Sequence, residues 1–381
     1  MEGFETYAQV DLGALERNLD AIRSHVEYRK ILLPIKANAY GHGLIEHSST
    51  TVTAPLALFL QERNAIDWLG VATVEEGVRL RAAGVNLPIL KFSYTQNHEL
   101  RRAIEAGLTL TVGDPVSIWA ASAAGETANI VAHVHLKVDT GMRRLGCPVH
   151  MAARLAHLIE ETPYLDLEGV YTHFAAAEKP EEDDFTSRQI DQFDEALDDI
   201  HRSLGRELEF KHAANSAAVE RHRDSWYDMV RPGILSYGYP QSADSPVRVR
   251  PILSVISHVS YVKNVHAGES VSYGRTWVAP RDTRIATVSI GYGDGYMRAL
   301  SNKAEVLIRG RLFPQVGTVC MDHIMVDIGA SSDIEVGEQV TLMGRDRSEV
   351  IGADDLGKLA GTISYEVLCG LTDRLSRMYI G

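Results

Sequence analysis

Pro34-Ile35-Lys36-Ala37-Asn38-Ala39-Tyr40-Gly41-His42-Gly43 carries one lysine out of an apolar run and into a loop of small residues. Upstream, Ile31-Leu32-Leu33-Pro34-Ile35 reads as a short buried strand, so Lys36 stands where a strand ends and a turn begins. Burial disfavours the charged form of an amine, and a neutral amine can form an imine with a carbonyl compound. A surface lysine capping a strand is the commoner explanation for a residue of this kind. The rest of the chain decides between the two.

Short apolar runs recur downstream at 68–73, 87–91, 108–112, 130–138, 167–173, 208–212 and 229–231, which with the run before Lys36 makes about eight strands. Helical spacing lies between them. It is clearest over 187–204, where Ile190, Phe193, Leu197, Ile200 and Leu204 recur at steps of three and four among acidic residues. This alternation predicts an α/β fold, an N-terminal (β/α)8 TIM-type barrel, whose ligand-binding residues gather at the C-terminal strand ends. Lys36, His173, His212 and Arg231 all fall at such ends. From about Pro251 the pattern changes to glycine-punctuated apolar runs at 257–265, 285–290, 304–308 and 324–328 without convincing helices between them, which predicts a mostly β C-terminal domain. The expected division is 12–245 for the barrel and 246–381 for the β domain, with residues 1–11 pairing with the latter.

The 381 residues are 45% hydrophobic, enough for a large core, and the formal net charge of -13 disfavours partners with phosphate backbones or anionic lipid surfaces. A small-molecule substrate is expected, with no nucleic acid and no membrane. The N-terminus lacks the basic and apolar pattern of a leader. Three cysteines, Cys147, Cys320 and Cys369, are too few and too scattered for a disulfide framework and fit a reducing cytoplasm.

Several stretches, in order, resemble the alanine racemase family: Lys36-Ala-Asn-Ala-Tyr-Gly-His-Gly, Asp139-Thr-Gly-Met-Arg-Arg144, Tyr171-Thr-His173-Phe-Ala, His212-Ala-Ala-Asn215-Ser216, Arg231-Pro-Gly233-Ile234, Ser272-Tyr273-Gly-Arg-Thr-Trp, Gly291-Tyr292-Gly-Asp-Gly-Tyr, Gly317-Thr-Val-Cys-Met321-Asp322 and Ser364-Tyr365-Glu. The resemblance spans nearly the whole chain. It implies pyridoxal 5'-phosphate as cofactor, joined to Lys36 as an imine, and no metal.

It further implies that Lys36 and Tyr273 are the two catalytic proton carriers, one for each face of the planar adduct, with Tyr273 reaching the site across a homodimer boundary. Tyr40, His173, Asn215, Ser216, Arg231, Gly233, Ile234 and Tyr365 would bind the cofactor. Ser216 and the turn at Gly233 would hold its phosphate, and Arg231 would face its ring nitrogen. Arg144, Met321, Asp322 and Tyr292 would meet the substrate. The family has one arginine where this chain has Arg143 and Arg144, and the register before Leu145-Gly146 selects Arg144. Lys137 aligns with a lysine that is carbamylated in many members. The run 47–62 departs from the family's alanine-rich helix, which predicts an irregular or shifted first barrel helix. The implied activity is interconversion of L- and D-alanine for peptidoglycan. A broad-specificity or serine racemase is the alternative on the same scaffold, and a non-catalytic cofactor carrier is opposed by the second base and the β domain.

Overall fold

In the computed structural model, residues 6–47 and 52–381 are described, and the chain divides by its contacts into two compact units. Residues 15–39 and 44–250 form the first, and residues 6–14, 40–43 and 251–381 the second.

The first unit is a barrel of eight parallel strands. In chain order they are Lys30–Pro34, Trp68–Val71, Ile89–Lys91, Thr109–Val112, Ala132–Asp139, Leu165–Tyr171, Phe210–His212 and Met229–Val230. From the first to the seventh each pairs with its neighbour in sequence, and Met229–Val230 pairs with Lys30–Pro34. Between the seventh and eighth strands the join rests on Asp228 N–H to Lys211 O (3.1 Å) and Arg231 N–H to Ala214 O (2.9 Å). Six of the eight strands are shorter than their apolar runs. The sixth ends at Tyr171 and the eighth at Val230, so His173 and Arg231 lie just beyond the ladder, on the loops that the fold uses for ligands.

The helices that face the barrel start where the chemistry allows. Thr73 and Asp114 cap Val74–Ala82 and Pro115–Ala128 with reciprocal side-chain bonds to their third residues, Glu76 and Ser117. The long helix Asp183–Leu204 begins four residues before its apolar periodicity does, because Asp183 and Asp184 suit the positive end of a helix dipole. It buries Ile190, Phe193, Ala196 and Ile200. In the segment with the unusual serine and threonine run, a two-stranded ladder of Glu46–His47 with Val52–Thr53 precedes the helix Pro55–Glu62. Residues 48–51 of that run lie outside the described residues.

Inside the barrel Leu32, Trp68, Leu90, Phe210 and Met229 pack with Phe92. His135 shares this layer, its ring 5.4 Å from Trp68 and 6.0 Å from Phe210. Gly169, at a register shift in the sixth strand, makes the space: a Cβ there would fall 2.7 Å from His135 Nε2.

The second unit is built on the 13-residue strand Leu253–Val265, antiparallel to Tyr7–Asp11, Thr283–Val288 and Gln339–Asp346. Tyr7–Asp11 also runs parallel to Ser376–Ile380. The unit is mostly β, as expected, and two short helices, Ala353–Ala360 and Ser364–Cys369, follow the runs that announced it. Gly357 and Gly361 hide the first from a reading of periodicity. A small apolar cluster of Val265, Val271, Ala279, Ile285, Val316 and Met325, with Trp277 and Cys320 against it, supports the loops that carry Tyr273 and Met321.

Because a Cβ at residue 169 has nowhere to go except into the buried His135 ring, Gly169→Ala should destabilise the barrel by about 1–3 kcal/mol through overpacking. Urea unfolding of the variant beside the parent measures this, and an unchanged midpoint would show that the ring has room to yield.

Candidate active site

Lys36 follows the first barrel strand on a backbone of the unfavoured hand. Ala37, Asn38, Ala39 and Tyr40 all have φ between 52° and 56°, a left-handed turn that costs L-residues roughly 1–2 kcal/mol each. Small side chains at 37 and 39 limit that cost, and hydrogen bonds hold the turn. Ala37 N–H donates to Glu76 Oε1 (2.8 Å), Leu44 N–H to Asn38 Oδ1 (2.7 Å) and Ala39 N–H to Ile35 O (2.9 Å). The other oxygen of Glu76 accepts from Ala72 and Thr73 N–H, so one carboxylate ties the lysine turn to the end of the second strand. Lys36 Nζ lies 5.5 Å from the centre of the Phe92 ring.

Arg231 is the electrostatic centre of this end of the barrel. It is 4% exposed, and among the described residues no carboxylate pairs with it. Its guanidinium donates instead to Thr172 O and Ala213 O (both 2.8 Å) and to His212 Nδ1 (2.9 Å), with His173 Nδ1 at 3.3 Å. A rim arginine neutralised by an acid is therefore not what the fold builds here.

Since arginine can only donate, the tautomers along the next contacts are fixed. His212 Nδ1 accepts, so Nε2 carries the proton and donates to His135 Nδ1 at 2.9 Å. The His135 Nε2–H then faces Glu168 Oε1 at 3.4 Å, an oxygen that also accepts from Thr109 Oγ1 (2.8 Å). Tyr171 stacks on His212 with ring centres 4.8 Å apart. Burial, then the charge of Arg231, holds His212 and His173 well below the ordinary imidazole range. Burial lowers His135 against the pull of Glu168. Arg231 itself is lowered by burial to about 10 and stays charged at neutral pH.

Lys137 closes the cluster, 5.4 Å from the Tyr171 ring centre and donating to Val138 O at 2.6 Å. Burial, then the repulsion of Arg231, lowers its amine to about 7. Of the two adjacent arginines, Arg144 is the one whose charge bears on Lys137, Tyr171 and His173. Arg143 instead occupies a left-handed position, its N–H capped by Asp139.

Two short helices, Ser216–Arg221 and Gly233–Ser236, meet at their starts, because Leu235 N–H donates to Ser216 Oγ (3.2 Å). Asn215 caps the first through Ala218 N–H. Their amino ends offer positive dipole to an anion.

The second unit holds the remaining candidates in two groups. Tyr40 and Tyr365 lie with ring centres 6.0 Å apart, and burial, then Tyr365, raises the Tyr40 phenol above its ordinary range. Met321, Asp322 and Tyr292 share a double loop: Tyr292 N–H donates to Cys320 O, Gly293 N–H to Met321 O, and Arg374 bonds Asp322 while pairing with Asp294. Tyr273 is 71% exposed on a neighbouring turn.

The sequence reading missed Glu76, His135 and Glu168. His135 was in view as the residue two before Lys137, on the same strand face. Glu76 and Glu168 had no local signal, since each acts on a residue distant in the chain.

The fold and these residues define a barrel enzyme built around a lysine, and comparison with known proteins gives its family. The N-terminal domain model of alanine racemase matches residues 10–241 and the C-terminal domain model residues 252–379. The alanine racemase of Cutibacterium acnes is 41% identical over 377 residues, 99% of this chain and 98% of that protein. The solved alanine racemase of Clostridium difficile superposes with a TM-score of 0.91 at 35% identity, over 100% of this chain and 97% of that one. A histidine racemase from Leuconostoc mesenteroides superposes at 0.89 with 27% identity, covering 100% and 99%. The chain belongs to the alanine racemase family and is a racemase by enzyme class.

Held well below the ordinary imidazole range, His173 and His212 stay neutral in the fold, whereas the unfolded chain takes up protons as pH falls through about 6.5. Unfolding free energy then has a positive slope in pH, and stability is lost on acidification below 6.5. Two such groups give up to about 2.7 kcal/mol per pH unit. Urea unfolding between pH 7.5 and 5 should show that loss, and a flat profile would mean that the pair charges in the native state.

Proposed function

We propose that the protein interconverts L- and D-alanine with pyridoxal 5'-phosphate, as a cytoplasmic homodimer with sites shared between subunits, and supplies D-alanine for peptidoglycan. The observation that carries this reading is the buried Arg231, charged yet paired with no acid among the described residues, at the same end of the barrel as Lys36.

The residues present suit a phosphorylated pyridine aldehyde. Lys36 is the amine for its carbonyl. Ser216, Asn215, Gly233 and Ile234 supply helix starts and a small-residue turn for its phosphate, and Tyr40 and Tyr365 are also assigned to cofactor binding. Arg231 and His173 are the donors for its ring. When bound, the cofactor supplies the electron sink that acidifies the substrate's α-hydrogen.

The remaining work falls to side chains of the chain itself. Lys36 and Tyr273 each hold or take the α-proton, Tyr273 from the L-substrate and Lys36 from the D-substrate, which is why two bases are needed for inversion. Arg144 and the Met321 backbone N–H bind the substrate carboxylate, with Asp322 lining the site. Arg231 can only donate, so a nitrogen placed against it keeps its lone pair and gains no proton. Tyr292 and Tyr365 leave room for a methyl side chain. Specificity thus resides in such side chains, since one scaffold serves both alanine and histidine racemases.

Lys137, with an amine lowered to about 7, is neutral enough above that pH to capture carbon dioxide. The nitrogen–carbon bond forms, one proton leaves, and the carbamate so made is an anion for Arg144 to bind. Protein equilibrated with 13C-bicarbonate should therefore show one carbamate carbon resonance that Lys137→Ala lacks. A spectrum identical in both proteins would rule the modification out.

A chiral assay of the purified protein, loaded with pyridoxal phosphate, should find alanine racemised at least about tenfold faster than serine or histidine, the discrimination expected when a pocket must reject extra side-chain atoms. Equal rates would favour a broad-specificity racemase. Lys36→Ala and Tyr273→Phe should each be inactive, and mixing them with subunit exchange should restore part of the activity. Demonstrated exchange with no recovery would defeat the shared site.

A further inference from the structure

Tyr273 follows a residue whose backbone is unfavourable for anything but glycine. Ser272 has φ 69° and ψ -179°, and the left-handed character continues at Gly274 (φ 71°) and Arg275 (φ 49°). A serine persists in that region only where its surroundings over-determine it, and such outliers concentrate at functional sites. Here the surroundings converge on one residue.

Thr318, 5% exposed, grips the turn from both sides. Its hydroxyl donates to the carbonyl of Tyr273 at 2.8 Å, and its own carbonyl accepts from the Ser272 hydroxyl at 2.6 Å. The Thr318 hydroxyl also lies 3.3 Å from that of Thr276, which accepts from Asn302 Nδ2 at 3.0 Å. Asn302 Oδ1 in turn accepts from Gly317 N–H at 2.5 Å, closing a ring of bonds back to Thr318. Gly317, with φ 75°, permits the close approach: a Cβ there would fall 2.8 Å from Ser272 Cβ. Among the described residues the phenol of Tyr273 has no hydrogen-bond partner, so the backbone alone aims it.

We infer that Thr318 and Ser272 form a clamp that aims the Tyr273 phenol, which makes Thr318 a positioning residue for one of the two proton transfers. The inference rests on the role given to Tyr273 above. Losing the Thr318 hydroxyl frees the turn without touching Lys36, and its effect must therefore be lopsided between the enantiomers.

The test uses Thr318→Val, which keeps the shape and removes the hydroxyl, with Thr318→Ser to restore it and Tyr273→Phe as reference. Early loss of α-hydrogen to deuterated water is measured separately from L- and D-alanine in the loaded enzyme, and amide exchange of the 270–278 peptide in cofactor-free protein. Thr318→Val should slow exchange from L-alanine by up to about a hundredfold, the scale of a one-ångström misplacement. Exchange from D-alanine should stay near the parent rate, and the 270–278 amides should exchange faster. Thr318→Ser should recover most of the L-side rate. A valine variant at the parent rate for both enantiomers, or slowed equally for both, overturns the clamp. Parent-like L-side exchange in Tyr273→Phe removes the role of Tyr273 and the clamp's purpose with it, whereas inactive Tyr273→Phe beside a parent-like Thr318→Val removes the clamp alone.

Discussion

A buried guanidinium without a carboxylate constrains everything around it. Arg231 cannot give up its charge at neutral pH, so the barrel must supply acceptors that are neutral: two backbone carbonyls and two imidazole nitrogens. Each choice propagates. With His212 forced to accept at Nδ1, its other nitrogen must donate, and His135 inherits the same orientation. The first acid along the chain, Glu168, comes only after two rings, where its charge is remote from the guanidinium. An acid placed directly on Arg231 would have neutralised its charge. The histidines place that acid at a distance while giving the guanidinium neutral acceptors.

Both proposed proton carriers sit beside backbone of the wrong hand. Lys36 leads into four consecutive positive-φ residues, and Tyr273 is preceded by Ser272 at φ 69°. In each case a polar side chain from a different element holds the turn, Glu76 for the lysine and Thr318 for the tyrosine. Such turns point a side chain away from the strand direction and into open space, which regular structure does not do. The cost falls on segments already fixed by packing, so folding as a whole tolerates it.

The barrel was legible because its strands are buried on both sides and read as apolar runs, with Lys36, His173, His212 and Arg231 standing at the ends of four of them. The candidate residues were legible through short motifs, each lying on one loop. What escaped was what acts across the barrel. Glu168 bonds a histidine from the neighbouring strand and a threonine from the strand beyond, and no spacing within 165–171 announces it. Strand ends also escaped: the runs drawn to His173 and Arg231 overshoot the ladder, which stops at Tyr171 and Val230. The helix Ala353–Ala360 was hidden by its glycines, and packing overrides their low propensity.

The join between the seventh and eighth strands deserves weight for what it implies about motion. Two backbone bonds hold it, and one of them is donated by Arg231, whose side chain reaches back across the same gap to Ala213 and His212. The residue that would read the cofactor ring is thus also the clasp of the cylinder. A ligand that pulls on that guanidinium would tighten the clasp. Breathing of the barrel and grip on such a ligand would then be one degree of freedom, read as stiffness of the two closing strands.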